Sequence, residues 1–304
     1  MVELSVKLHH IKLRNPTVLA AGILGNSASL LLRIAKSGVG AVTTKSISLE
    51  KRAGHKNPVI YKLEFGLLNS IGLANPSVFE AIEEIKYAIK KSEVPVIVSF
   101  FGKSLEEFSK LAEIIAEINP SFIEANLSCP NLEAEFGKPF AANKELAAKI
   151  VEQIKDATKI PLIVKLTPNV SSIEEIAKSV EDAGADVIAA INSVQGMKID
   201  IHAKEPVLSA KFGGLSGKAI KPIAIANVYK IYEAVEIPII GIGGISTGED
   251  AIEMLMAGAS AVGIGTAVLD RGFNVFNEIC KEMEKFMREE GYSKVQELIG
   301  VAHE

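Results

Sequence analysis

The stretch Ile237-Pro238-Ile239-Ile240-Gly241-Ile242-Gly243-Gly244-Ile245 is answered, after a run of helical period, by Ala261-Val262-Gly263-Ile264-Gly265-Thr266. Each begins as a continuous β-branched apolar run, the pattern of a strand covered on both faces, and each ends in glycine. Strands buried on both faces belong to parallel sheets, and parallel neighbours need a crossover, which is what the helical stretch between them supplies. Working outward, the same unit recurs. Strands are expected at Pro16 to Gly22, Val39 to Ile47, Val94 to Phe101, Ser121 to Cys129, Ile160 to Thr167 and Asp186 to Asn192, before the two already quoted, Ile237 to Ile245 and Ala261 to Leu269. A doubly wound sheet would show the same alternation, but eight units in succession favour an α/β fold of the (β/α)8 TIM barrel type.

The intervening stretches read as helices. Leu105, Phe108, Leu111, Ala112 and Ile115 fall on one face, with Ser104 and Glu107 spaced as a capping box; Ser171 and Glu174 repeat that spacing further on. Leu4 to Lys12 alternates weakly and is expected to form a hairpin plugging the far end of the barrel. Two interruptions are longer than ordinary loops, Ser48 to Pro76 after strand two and Ser193 to Ser216 after strand six. Both follow strand C-termini, the face on which such barrels build active sites, so they point to substrate enclosure. No Pro/Ser/Gly-rich linker divides residues 1–304, which therefore read as one domain.

Composition removes several function classes. The 33 Lys+Arg against 37 Asp+Glu leave a net charge of −4, without the basic excess that neutralising nucleic-acid phosphates requires. Two distant cysteines and five scattered histidines make no metal pattern, so no metal is expected, and a reducing cytoplasm fits best. The N-terminus lacks the basic start and apolar run of a signal peptide, and apolar runs stay short of the roughly 18 residues a membrane span needs. Neither secretion nor membrane contact is expected.

The glycines at the ends of strands seven and eight lack Cβ atoms and allow backbone N–H groups close to a ligand, at the usual phosphate position of these barrels. A third cluster, Gly213-Gly214-Leu215-Ser216-Gly217, precedes a helix and is expected to add donors at its N-terminus. Phosphate binding is common to many barrels, cofactor-free isomerases and synthases included, so it marks a site and not a reaction. Cys129 stands where strand four emerges, between Asn126 and Asn131, and a thiol so placed can serve as nucleophile or general base; Cys280, in a terminal amphipathic helix, reads as packing. Lys45 and Lys165 end strands two and five after apolar runs, where a lysine is costly unless it meets an anion or a polarised carbonyl. Asn69 and Asn192 add amides suited to a planar ring with alternating donors and acceptors.

Together, Asn126-Leu127-Ser128-Cys129-Pro130-Asn131, Lys165-Leu166-Thr167-Pro168-Asn169, Gly213-Gly214-Leu215-Ser216-Gly217 and Gly241-Ile242-Gly243-Gly244 resemble the dihydroorotate dehydrogenase family over nearly the whole chain. The resemblance implies an FMN enzyme of pyrimidine synthesis that oxidises dihydroorotate to orotate, with Cys129 as the general base. It places Lys45, Asn69, Ser70, Ile71, Gly72, Leu73, Asn126, Asn131, Asn192 and Ser193 around the substrate. It gives Ala21, Lys45, Ser46, Ser99, Asn126, Lys165 and Ile191 to FMN, with Gly217, Gly243, Gly244, Gly265 and Thr266 about its phosphate. The segment from Pro130 to Ala142 looks like the mobile lid of such enzymes, a third long loop after strand four. Two positions depart from the family: Ala21 stands where a flavin-contacting serine is frequent, and Ser99 replaces a common asparagine. Cysteine at the base position and the lack of a membrane-associating extension imply the cytosolic class. Ile191 to Met197 and Gly214 to Pro222 look most like its NAD-linked form, in which a homodimer of catalytic barrels pairs with a subunit carrying FAD and an iron–sulfur cluster, giving a heterotetramer. This chain has no dinucleotide fingerprint and too few cysteines for the cluster, so NAD use would run through that partner. A fumarate-linked homodimer, or another pyrimidine-directed FMN oxidoreductase, is the near alternative.

Overall fold

Eight short parallel strands close on themselves in the computed structural model, which describes residues 2–127 and 143–303. In chain order they are Thr17–Leu19, Ala41–Thr43, Val96–Phe100, Phe122–Asn126, Leu162–Lys165, Val187–Ala190, Ile239–Ile242 and Ala261–Ile264, and the last pairs with the first. Each lies inside a span expected from sequence, and Val96–Phe100 and Phe122–Asn126 are buried at every residue, as strands lined inside and covered outside must be. The expected spans overrun at their C-terminal ends. Leu269 belongs to a short helix, Ala267–Arg271, and Ile47 makes only an isolated bridge to Phe100. Apolar character continues past the point where the chain leaves the hydrogen-bonded ladder, so hydropathy alone misplaces the boundary.

The helices follow the same logic. Leu105–Ala116 buries Phe108, Leu111, Ala112 and Ile115, and the Glu107 N–H donates to the Ser104 hydroxyl over 3.2 Å. The reciprocal half of that box is altered, because the Glu107 carboxylate accepts from the Lys103 N–H instead. The second expected box does not form. The helix Ile173–Asp182 starts one residue later than Ser171 would dictate, and its cap, Ser172, makes no side-chain capping bond. A complete box occurs where none was expected, between Thr247 and Asp250 at the start of Gly248–Met256.

The two long interruptions are not separate loops. They contribute two strands each to one antiparallel sheet, in the order Val194–Gly196, Gly213–Ser216, Gly66–Asn69, Ile60–Leu63. The third glycine cluster is thus mostly a strand rather than a helix-terminal donor set, and only Gly217, leading into a turn of 3-10 helix at Lys218–Ile220, approaches the role expected of it. At the other end of the barrel, Val6–Leu8 pairs with Ile11–Leu13 as the N-terminal hairpin. The His9 imidazole lies 4.0 Å from the carboxylate of Asp186, just before strand six, so the hairpin sits at the strand N-termini. Among the described residues no helix is long and apolar enough to cross a membrane, and no group of His, Cys, Asp or Glu is placed to hold a metal ion.

Leu8 and Leu13 of the hairpin are fully buried in the main core. Leu13→Ala is expected to lower unfolding free energy by about 2–5 kcal/mol, the range for a buried leucine that leaves a cavity. Denaturant unfolding with an unchanged m-value checks this, and a midpoint equal to the parent's would show that the hairpin adds little to the core.

Candidate active site

The strand C-termini and the four-stranded sheet above them enclose one cavity of about 1690 Å³. That exceeds the ~300–1,000 Å³ usual for a single small ligand. Its wall is built from the ends of strands one, two, four, five, six, seven and eight together with both long segments. Every candidate residue among the described ones lines it, with one exception. Cys129 and Asn131, and the segment from Pro130 to Ala142, lie outside the described residues.

The exception is Ser99, which is fully buried behind the wall. Its hydroxyl donates to Glu124 Oε1 over 2.7 Å and lies 2.8 Å from Ser46 Oγ, while its N–H donates to Thr44 Oγ1. Ser46 does line the cavity. Position 99, where the resemblance implies a flavin contact, therefore belongs to a buried chain, Glu124–Ser99–Ser46, that holds the wall from behind and does not face the cavity. Ala21 lines the cavity with no polar atom on its side chain.

Two features of the wall call for negative charge. At the ends of strands seven and eight, the N–H groups of Gly243, Gly244, Gly265 and Thr266 find no acceptor among the described residues. Unpaired main-chain donors converging on a cavity form an anion cradle. Gly244 must be glycine, because its φ is +76° and a Cβ there would stand 2.5 Å from that of Lys221. The cradle is fixed from outside by Asp250, which accepts from the N–H and hydroxyl of Ser246, the N–H of Thr247 and the Lys221 ammonium at 2.7–3.0 Å. Burial raises the Asp250 carboxyl, but its bonds to Lys221 and Ser246 outweigh this and hold it below its ordinary value. Arg271 donates to the Ser246 carbonyl and, over 2.8 Å, to Glu282.

The second feature is a lysine pair. Lys165 ends strand five only 5% exposed, Lys45 follows strand two half-buried, and neither enters an ion pair among the described residues. Burial first, and the charge of Lys165 second, push the Lys45 ammonium below the ordinary lysine value. Two like charges in a shared, partly dry space are relieved by an anion or an electron-rich ring edge.

Amides complete the site. Asn126, in register with Lys165, ends strand four. Asn69 Nδ2 donates to the Gly214 carbonyl over 3.2 Å, joining the two long segments. Asn192 Oδ1 accepts from Ser193 N–H, and Asn169 Nδ2 donates to both Thr167 Oγ1 and the Ser193 carbonyl. Thr167 and Asn169 were legible only as parts of a motif, yet both line the cavity and tie strand five to the segment after strand six.

Known proteins are similar to this chain over nearly its whole length. The family model described as dihydroorotate dehydrogenase matches residues 3–287. A curated protein of Methanocaldococcus jannaschii named dihydroorotate dehydrogenase B (NAD(+)), catalytic subunit, is 49% identical over 97% of this chain and 96% of its own length. Proteins of the same name from Pyrococcus abyssi (48% identical, covering 98% of this chain and 99% of theirs) and Methanosarcina acetivorans (46%, covering 97% and 94%) are similar throughout.

The lysine pair has a pH signature. Lys45 should titrate below an ordinary lysine, and Lys165→Met should move it back up by removing the neighbouring charge, as followed by NMR of methylated lysines. Because the folded value is lower than the unfolded one, the unfolded chain binds more protons, and stability should rise as pH climbs through the Lys45 transition. A Lys45 titration unmoved by Lys165→Met would remove the coupling.

Proposed function

The chain belongs to the dihydroorotate dehydrogenase family, and from that premise we propose that it oxidises dihydroorotate to orotate with FMN as its resident cofactor. The observation that carries this reading is the presence of two separate anion-receiving sets in one oversized cavity, the N–H cradle of strands seven and eight and the lysine pair of strands two and five. A phosphate-bearing cofactor beside a small carboxylated ring requires both.

The cradle fits a phosphate group, so Gly217, Gly243, Gly244, Gly265 and Thr266 would hold that end of FMN, while Ser46, Asn126, Lys165 and Ile191 would line its ring, with Ala21 making apolar contact. When bound, FMN supplies the acceptor for a hydride from substrate C6. The residues of this chain do the rest. Cys129 takes the proton from C5, next to a carbonyl, as a general base, so that a C5–C6 double bond forms while the proton and hydride leave in different directions. Lys45, Asn69, Asn126, Asn131, Asn192 and Ser193 orient the ring and carboxylate, and the main chain of Ser70 to Leu73 closes over them. Lys165 supplies a fixed positive charge in a partly dry site, where it acts at nearly full strength.

The relatives are named as NAD(+)-linked catalytic subunits, which supports an equivalent arrangement here: a homodimeric core whose electrons pass to NAD+ through a second subunit carrying FAD and an iron–sulfur cluster, in the cytoplasm.

Purified protein should be yellow, and loss of the flavin band that added FMN does not restore would favour a cofactor-free barrel. Cys129→Ala should keep FMN but reduce it at least ~100-fold more slowly with dihydroorotate, because only the base is missing. Near-parental flavin reduction in a stopped-flow trace would take Cys129 out of that role. Affinity capture from native cells should bring down an iron–sulfur flavoprotein; capture of none, together with fumarate-dependent turnover by the chain alone, would place it with the homodimeric form.

A further inference from the structure

The segment Asn69-Ser70-Ile71-Gly72-Leu73 lines the cavity, and the accounts of its main-chain hydrogen bonds are uneven. The Ser70 N–H donates to the Val59 carbonyl over 2.8 Å, but those of Ile71, Gly72 and Leu73 find no acceptor among the described residues. On the carbonyl side one residue serves two successive groups. The His55 N–H donates to the Ile71 carbonyl at 3.2 Å, and His55 Nδ1 lies 3.1 Å from the Ser70 carbonyl. A carbonyl only accepts, so Nδ1 carries the hydrogen, and the bond forms with the ring neutral or charged.

Two further features show that the segment is held rather than relaxed. Gly72 and Leu73 have φ of +73° and +56°, and a leucine in the left-handed region persists only where its surroundings impose it. His55 packs directly on Gly72, where a Cβ would lie 2.7 Å from the His55 backbone nitrogen and 2.9 Å from the ring carbons Cγ and Cδ2. His55 itself is exposed, so it adds no core to the fold.

We propose that His55 is a positioning residue for the substrate: by taking the Ser70 and Ile71 carbonyls it fixes the backbone that presents the Ile71, Gly72 and Leu73 N–H groups to the substrate. This rests on the reading of the cavity as a dihydroorotate site. His55 borders the cavity as well, but both of its hydrogen bonds go to the segment, so acting through that segment it should govern affinity and leave chemistry alone.

The experiment uses the FMN-loaded protein, titrated with orotate by flavin absorbance and assayed for dihydroorotate oxidation. His55→Ala is expected to weaken orotate binding and raise KM about tenfold, the size of one well-placed hydrogen bond, with kcat within about twofold of the parent. Flavin content and melting temperature should be unchanged. His55→Asn, whose amide N–H stands near the position of Nδ1, should recover most of the affinity. Parental affinity in His55→Ala, a loss confined to kcat, or His55→Asn as weak as His55→Ala would each overturn the proposal. Parent protein that neither binds orotate nor oxidises dihydroorotate would overturn the reading of the site as well.

Discussion

Two lysines are brought to the rim of a closed barrel with no carboxylate among the described residues to pair with either. Burying one ammonium is costly, and setting a second beside it raises the cost, which an anion between them would relieve. Most of the surrounding architecture can be read as serving that unfinished electrostatic circuit. Strands five and two deliver the charges, strand four sets Asn126 beside Lys165, and the glycine turns of strands seven and eight supply a second anion seat that is uncharged and rigid. The two seats differ in chemistry as well as in place: formal charge in one, oriented main-chain dipoles in the other.

The supports of the wall follow a common pattern, in which polar groups behind the cavity or at its edge fix those that face it. Asp250 holds the cradle, Asn169 holds Ser193, His55 holds the backbone beside Asn69, and Glu124 with Ser99 holds Ser46. In each case a hydrogen bond of 2.7–3.1 Å ties a turn or strand end to one geometry, which a site built on loops needs if its donors are to stay in place.

How much of this the sequence discloses depends on the kind of signal each feature leaves. Barrel strands are buried on both faces, so runs such as Leu162–Lys165 announce themselves, although their ends do not. Residues at strand ends, Lys45 and Lys165 among them, are conspicuous because a charge interrupts hydrocarbon. The antiparallel sheet above the barrel was hidden because Gly213–Ser216 has almost no β-branched content and its partner, Gly66–Asn69, lies in a distant segment; pairing of that kind is tertiary information. Ser99 could be placed by motif but not by depth, and its inward turn appears only once Glu124 is seen beside it. His55 leaves no periodic trace at all. Cys129 was singled out by position in a motif, and its surroundings lie outside the described residues.

The bond from Asn69 to Gly214 joins positions 145 residues apart. During translation the first barrel strands and the early half of the pocket roof emerge long before the segment that completes it. A nascent chain on the ribosome therefore carries its ligand-binding groups for many seconds without the geometry to use them. Binding competence arrives late and abruptly, as a property of the finished polypeptide rather than of any fragment released before it.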